Sequence, residues 1–253
     1  MLLPFFSPNR DAAAISNGSG VKGATTSKAD QELRVSDVTP WVLTPDLVPR
    51  RKYNLLDREP QLWMWAEYDQ AHYEFNDRQQ EVLVDNPVFT LVSLGETSAA
   101  DFQLEVEFSR STQNGLSGLF FGAHPIKDRE KWWHAYGVVL QRVTMDVTTE
   151  HRINIERYEI SFEDETPKAK VRAGILSQPV VFREGIGHRL ELFSEKGLLK
   201  SVRWNSQELD SLNRQPLTND VFHSEGVFGI YNELCATRFR DARFTLLKGK
   251  TRG

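Results

Sequence analysis

Apolar and polar residues alternate with a period of two through much of the chain. In Asp101-Phe102-Gln103-Leu104-Glu105-Val106-Glu107-Phe108, the even-numbered apolar residues point one way and the polar ones the other. That is the pattern of an antiparallel strand with one face in a core and one toward solvent. A second apolar segment, Leu116-Ser117-Gly118-Leu119-Phe120-Phe121, follows a polar stretch around Gln113-Asn114-Gly115. The two are expected to form a hairpin. Near the other end, Gly226-Val227-Phe228-Gly229-Ile230-Tyr231 and the alternating run from Arg238 to Leu247 predict two more strands, with Cys235 in the loop or edge between them.

Further strands are expected at 72–75, 81–84, 89–94, 136–143, 152–161 and 170–173. The turn formers Asp85-Asn86-Pro87 should separate the second and third of these. Arg189 to Phe193 pairs with Leu198 to Trp204 across Ser194-Glu195-Lys196-Gly197, and Asn205 begins a tight reversal. Helical period is never sustained; single turns at 129–134 and 208–212 are the most it allows. So many short strands spaced by turns predict an all-β chain, a two-sheet antiparallel β-sandwich of the jelly-roll kind. The sandwich should occupy residues 39–253 as one domain. Residues 1–38 read as a disordered or extended segment, because Ala12 to Ser27 is rich in Ala, Gly, Ser and Thr with little to bury. Trp63 and Trp65, one residue apart on a strand, should share a face as core anchors.

Composition narrows the partners. A net charge of −4 over 253 residues leaves no basic footprint for nucleic acid. Cys235 is the one cysteine, so no internal disulfide and no cysteine-rich metal site can form. No apolar run is long enough to cross a membrane as a helix. Met1-Leu2-Leu3-Pro4-Phe5-Phe6 is short and lacks a basic leader, which leads to the expectation of a cytoplasmic protein. Oligomeric state stays open.

Few residues carry recognisable chemistry. Glu105 and Glu107 share a strand face and are the catalytic pair if the chain is an enzyme, one as acid and the other ionised. The preferred reading, however, is two solvated surface carboxylates. Trp132, Trp133 and His134 fall in a connection between strands, where aromatic faces can stack on sugar rings or on a protein partner. Tyr231 joins them as a ligand-binding candidate at the rim of a concave sheet face. His151, Asn154 and Glu156 lack metal spacing, and no zinc site is expected. Gly185-Ile186-Gly187 lacks the strand-to-helix context of a dinucleotide loop.

From about Tyr73 onward the chain resembles the concanavalin A-like lectin/glucanase superfamily, and within it the 3-keto-disaccharide hydrolase family. The matching segments are Asp101–Phe108, Gly115–Phe121, Tyr136-Gly137-Val138-Val139-Leu140-Gln141, His188–Leu192, Trp204-Asn205, Gly226–Ile230 and Phe239-Arg240-Asp241. The resemblance implies a jelly roll and puts Gln141 at the family's strand-borne glutamine, a ligand-binding candidate. It also leaves calcium open as a cofactor, since many lectin-like sandwiches hold one, with Glu163-Asp164-Glu165 the densest acidic run. Leu116-Ser117-Gly118 departs from the family's Asn-Ser-Gly, and Gly122 follows the strand where an arginine is usual. Three functions follow: a non-catalytic module binding glycan or another protein, a glycoside hydrolase-like enzyme, or a structural domain without a small ligand.

Overall fold

The computed structural model describes residues 33–35, 47–66, 71–110, 115–125, 137–147, 151–163, 166–209 and 225–248, all within the unit Gln31–Gly253. Among them every regular element is a strand, and every pairing is antiparallel. The all-β expectation holds. The expected pair of separate sheets does not: the strands form one continuous 14-stranded sheet, curled into a jelly-roll-like arrangement.

Two long strands make the sheet continuous. β14 (Gly226–Leu246) and β5 (Glu81–Thr97) run side by side and bend together. On its other edge, β14 pairs first with β7 (Leu116–Pro125), then with β6 (Phe102–Arg110). Beyond β6 lie β11 (His188–Glu195), β12 (Leu198–Trp204) and β13 (Gln207–Glu208). Beyond β7 lie β8 (Gly137–Asp146), β9 (Arg152–Glu163) and β10 (Thr166–Pro179). β4 (His72–Asn76) and β3 (Gln61–Ala66) border the two parts of β5, and β1 (Leu33–Val35) pairs with β3. β2 (Lys52–Asn54) pairs with the end of β14. The sheet thus has two arms, one built on β6 and one on β7.

Three local expectations change for this one reason. β6 and β7 are not a hairpin, because β14 lies between them in the strand order. Asp85-Asn86-Pro87 does not reverse the chain. Pro87 sits in a register shift between the pairs Cys235↔Asn86 and Glu233↔Phe89, where its missing N–H breaks no ladder bond. Cys235 is in no loop: it is buried inside β14, at the same shift.

The bend has identifiable causes. Leu234 adopts φ 58°, a left-handed conformation that turns the strand. Gly115, at φ 91°, lies so close that a Cβ there would stand 2.2 Å from the Glu233 carbonyl oxygen. Pairing with β7 ends at Glu233↔Leu116, and pairing with β6 begins at Thr237↔Arg110. Between them, buried polar groups satisfy one another: Ser117 Oγ is 2.6 Å from Thr237 Oγ1 and donates to Asn232 Oδ1 at 3.1 Å, while Asn232 Nδ2 donates to Cys235 O at 2.7 Å. On β5, Asn86 Nδ2 donates to Thr90 Oγ1 at 2.9 Å.

The arms close over an aromatic core. Phe228 of one arm stacks on Phe244 of the other at 5.5 Å, and Phe244 stacks on Phe102 at 5.2 Å. Phe108 meets Phe239 at 5.7 Å and Trp204 at 5.8 Å. Phe102, Leu104, Val106 and Phe108 are all fully buried in this cluster with Leu119 and Phe121, as the alternation predicts. The β7 arm carries a second buried apolar cluster on its other face, with Trp63 stacked on Phe120 and with Leu91, Leu140, Ile160 and Tyr231 around them. Burial on both faces explains the unbroken Leu119-Phe120-Phe121 run.

Phe108→Ala is expected to cost about 3–5 kcal/mol, because it opens a cavity beside the Phe239 and Trp204 rings. Denaturant unfolding measures it, and a cost under about 1 kcal/mol would show that Phe108 is not at the junction of the arms.

Candidate functional site

The carboxylates singled out in the sequence lie on the face of the β6 arm turned away from the core. Glu105 is nearly buried, and its Oε1 sits 2.7 Å from Lys52 Nζ and 4.0 Å from Arg243 Nη1. Its Oε2 is 3.8 Å from Arg189 Nη1. Glu107 pairs with Arg240 at 2.7 Å and Arg189 at 3.3 Å, and Asp241 bridges Arg189 and Arg243 at 2.5 Å each. Cross-strand register builds this lattice: Glu105 stands opposite Glu191 and Arg243, and Glu107 opposite Arg189 and Arg240. For Arg189, burial works to lower the pKa, but hydrogen bonds and charge from Asp241, Glu107 and Glu105 raise it on balance. Every carboxylate oxygen of the two glutamates thus lies within 4 Å of a lysine or arginine nitrogen.

A second charged group sits on the outer face of the β7 arm. Arg142, buried on β8, donates from Nε to Glu156 Oε2 at 2.8 Å and from Nη1 to the Tyr231 hydroxyl at 2.5 Å and to Glu233 Oε2 at 3.3 Å. The Tyr231 hydroxyl in turn donates to Glu233 Oε2 at 2.5 Å. The guanidinium carbon stands 3.9 Å over the Tyr158 ring and 4.8 Å over the Tyr231 ring. Burial is the largest influence on Arg142 and lowers its pKa, yet Tyr231, Glu156, Tyr158 and Glu233 together raise it. Burial pushes the Tyr231 hydroxyl well above the usual tyrosine value, with Arg142 opposing, and it raises Tyr158 as well. One buried cation thus holds two carboxylates and two phenols in fixed places.

The third feature is a cleft of about 430 Å³ where the two ends of the strand path meet. Gln178 and Pro179 of β10, with Val180 and Val181 beyond it, form one wall; Trp204 of β12, Asn205, Gln207 of β13 and Leu209 form the other. Trp204 Nε1 donates to Val181 O at 3.0 Å and ties the walls together. Its ring is stacked on His188 at 5.0 Å with Phe108 close by, so the indole is buried and offers its edge. Asn205 and Ser206, at φ 50° and 68°, make the two-residue turn between β12 and β13. Val181 stands 72% exposed at the rim, an apolar contact left open to solvent. No charged residue lines the cleft among the described residues.

The structure does not bring the sequence-predicted residues together. Glu105 and Glu107 alternate with core residues of the β6 arm, whereas Tyr231 alternates with core residue Ile230 of the β7 arm and faces away from the same core. Tyr231 is fully buried under the Arg142 cluster. Gln141 takes the ladder position opposite Phe121 and Arg157, and its side chain lies outside the described residues. Trp132, Trp133 and His134 lie outside them too, as do most of residues 1–38. Among the described residues, no three His, Cys, Asp or Glu groups converge on a metal position. Sequence reasoning gave no role to Arg142, Glu233, Gln178 or Gln207, weighed Glu156 only as a metal ligand and read Asn205 only as a turn residue. Arg142 did carry a signal, a charge inside the apolar run from Val138 to Val143.

The chain matches no family model and no curated protein. Among solved structures it is similar to the carbohydrate binding module CBM66 from Bacillus subtilis, at 14% identity over 70% of this chain and 92% of that one, with a TM-score of 0.45. A protein of unknown function with a galectin-like fold, also from Bacillus subtilis, matches at 13% identity over 70% and 86%, with a TM-score of 0.46. The kappa-carrageenase from Pseudoalteromonas carrageenovora, in complex with an oligotetrasaccharide of kappa-carrageenan, matches at 7% identity over 88% and 98%, also at 0.46.

Arg142→Met is expected to destabilise the fold by about 3 kcal/mol, because it strands Glu156 and Glu233 beside buried rings. Adding Glu156→Gln and Glu233→Gln should recover part of the loss in urea unfolding; no recovery would mean the arginine acts through packing alone. The tyrosines set an alkaline limit. Burial raises Tyr73, Tyr158 and Tyr231 in the folded state, so above about pH 10 the unfolded chain releases its protons first. Stability should therefore fall as pH rises, by up to about 1.4 kcal/mol per pH unit for each tyrosine. Unfolding at pH 9, 10 and 11 measures the slope, and Tyr231→Phe should reduce it.

Proposed function

We propose that this chain is a non-catalytic carbohydrate-binding module whose ligand seat is the cleft between β10 and the β12–β13 turn. The cleft's chemistry carries the reading. Gln178, Asn205 and Gln207 bring carboxamides that can donate and accept, which suits sugar hydroxyls. Pro179, Val180, Val181 and Leu209 supply apolar surface for the C–H faces of a ring. A volume of about 430 Å³ suits one or two sugar residues. An uncharged lining suits a neutral glycan better than a sulfated or acidic one.

Binding ranks above hydrolysis because the described carboxylate pairs are bound to cations. Glu105 and Glu107 share Lys52, Arg189, Arg240 and Arg243, and Glu156 and Glu233 share Arg142. A glycosidase needs two carboxyls free to flank the scissile bond, and these four are held by lysine or arginine side chains.

A glycan array with the purified chain should give neutral glycan hits. Replacing both Gln178 and Gln207 by alanine should weaken binding to a hit about tenfold or more, as expected for two lost hydrogen bonds, with little change in melting temperature. Glu105→Gln and Glu107→Gln should leave binding unchanged. Full binding by the double alanine variant would remove the cleft as the seat, and turnover of a glycoside lost in either glutamate variant would make the chain an enzyme.

A further inference from the structure

We propose that the cleft reads the acetamido group of an N-acetylhexosamine, laid across it with its N–H and C=O toward opposite walls and its methyl toward the aliphatic floor. The proposal rests on the carbohydrate reading of the cleft and narrows it to one class of neutral sugar. Three properties of the lining carry it: no ring face is on offer, both walls bring carboxamides, and branched aliphatic side chains stand between them.

A hexose with only hydroxyl substituents has a flat C–H face, and a flat aromatic face is its natural apolar partner. Trp204 is the one aromatic residue of the lining, and it is not available for that use. It is 4% exposed, its ring is stacked on His188 at 5.0 Å, and its Nε1 donates to Val181 O at 3.0 Å. The apolar surface comes instead from Pro179, Val180, Val181 and Leu209. Val180 and Leu209 pack against the main core and so lie deepest, while Pro179 and Val181 are exposed at the rim. Such knobbed side chains enclose a methyl group better than they support a ring plane.

The amides are placed for one group in particular. An acetamido group is a planar trans amide, so its N–H and C=O point in opposite directions and its methyl points away from the sugar ring. A single carboxamide reaches only one of those two sides. Gln178 stands on the β10 wall, and Asn205 and Gln207 stand on the facing one. Each carboxamide both donates and accepts, so an acceptor for the N–H and a donor for the C=O are present across the gap. Asn205 Oδ1 accepts the Arg189 backbone N–H at 2.9 Å and its Nδ2 lies 3.0 Å from His188 Nδ1, which leaves each atom capacity for a further bond. Gln207, exposed on β13, makes no side-chain hydrogen bond among the described residues. A 2-hydroxyl brings neither the second polar side nor the methyl. A 2-ammonium would meet no carboxylate in the lining, and the methyl of a 6-deoxy sugar comes without an amide.

The test titrates the full chain with free methyl glycosides and follows binding by NMR. The probes are the N-acetylglucosaminide and N-acetylgalactosaminide, with the glucoside, galactoside, glucosaminide and fucoside beside them. The better N-acetyl glycoside should bind about tenfold or more tighter than its 2-hydroxyl counterpart, as two added hydrogen bonds would give. Saturating the valine and leucine methyls of the protein should transfer most strongly to the acetyl methyl. Gln207→Leu, which keeps the side chain's bulk without its amide, should erase most of the preference at an unchanged melting temperature. Equal binding of the N-acetyl and 2-hydroxyl forms, transfer falling mainly on ring protons, a preference that survives in Gln207→Leu, or array hits without N-acetylhexosamine would each overturn the acetamido assignment and leave the module reading standing. N-acetylalanine methylamide, a trans amide without a sugar, should bind no better than the glucoside. If it binds as tightly as the N-acetyl glycosides, or if no glycoside binds in solution or on the array, the acetamido assignment and the carbohydrate reading fall together.

Discussion

Everything in this molecule hangs on the shared bend of β14 and β5. Two separate sheets can be positioned only by the side chains packed between them. Here the backbone itself crosses from one arm to the other, twice and side by side, so the arms' relative position is set by hydrogen-bonded ladders on both sides of the turn. The cost is concentrated at one place. Leu234 holds a left-handed conformation worth roughly 1–2 kcal/mol of strain in a branched residue, and the polar groups interrupted there are buried. Ser117, Asn232, Cys235 and Thr237 answer that demand by bonding to each other, which is how a serine and an asparagine come to be fully buried in the middle of an apolar sheet.

This explains what was legible in the sequence and what was not. A strand's face assignment depends only on its own alternation, so Phe102, Leu104, Val106 and Phe108 were readable as core directly. The β11–β12 hairpin was equally readable, because its turn residues lie between its strands. The continuity of β5 and β14 was hidden, since Asp85-Asn86-Pro87 and Asn232–Cys235 carry turn-like chemistry whether the chain reverses or merely bends. Only the register partner distinguishes the two outcomes, and that partner lies more than a hundred residues away. Pairing β6 with β7 failed for the same reason: nearness in sequence argued for a hairpin, and β14 had taken the position between them.

Site chemistry was harder to read because its meaning depends on cross-strand neighbours. Glu105 and Glu107 share a face by alternation alone, but only the fold brings Arg189, Arg240 and Arg243 beside them from β11 and β14. Arg142 is the inverse case, an arginine that strand alternation would leave facing solvent but that apolar burial on both sides of the β7 arm encloses. Its two carboxylates and the ring of Tyr158 make that enclosure tolerable. Among the described residues the Glu105–Glu107 lattice lies on the β6 arm and the Arg142 cluster on the β7 arm.

The cleft follows from the curl. A sheet bent at its middle brings its terminal strands toward each other, and β10 and β13 are the two ends of that path. They do not pair; residues 180–187 span the gap instead, with the Val180 N–H on His151 O and the Trp204 indole on Val181 O. Among the described residues the gap between these unpaired ends is concave, and amides, aliphatics and Trp204 line it. The aromatic column of Phe182, His188, Trp204 and Phe108 runs from this rim into the core between the arms. The Trp204 ring is the link between them: its indole N–H holds one wall of the cleft at Val181 O, while its face packs beside Phe108 in the core.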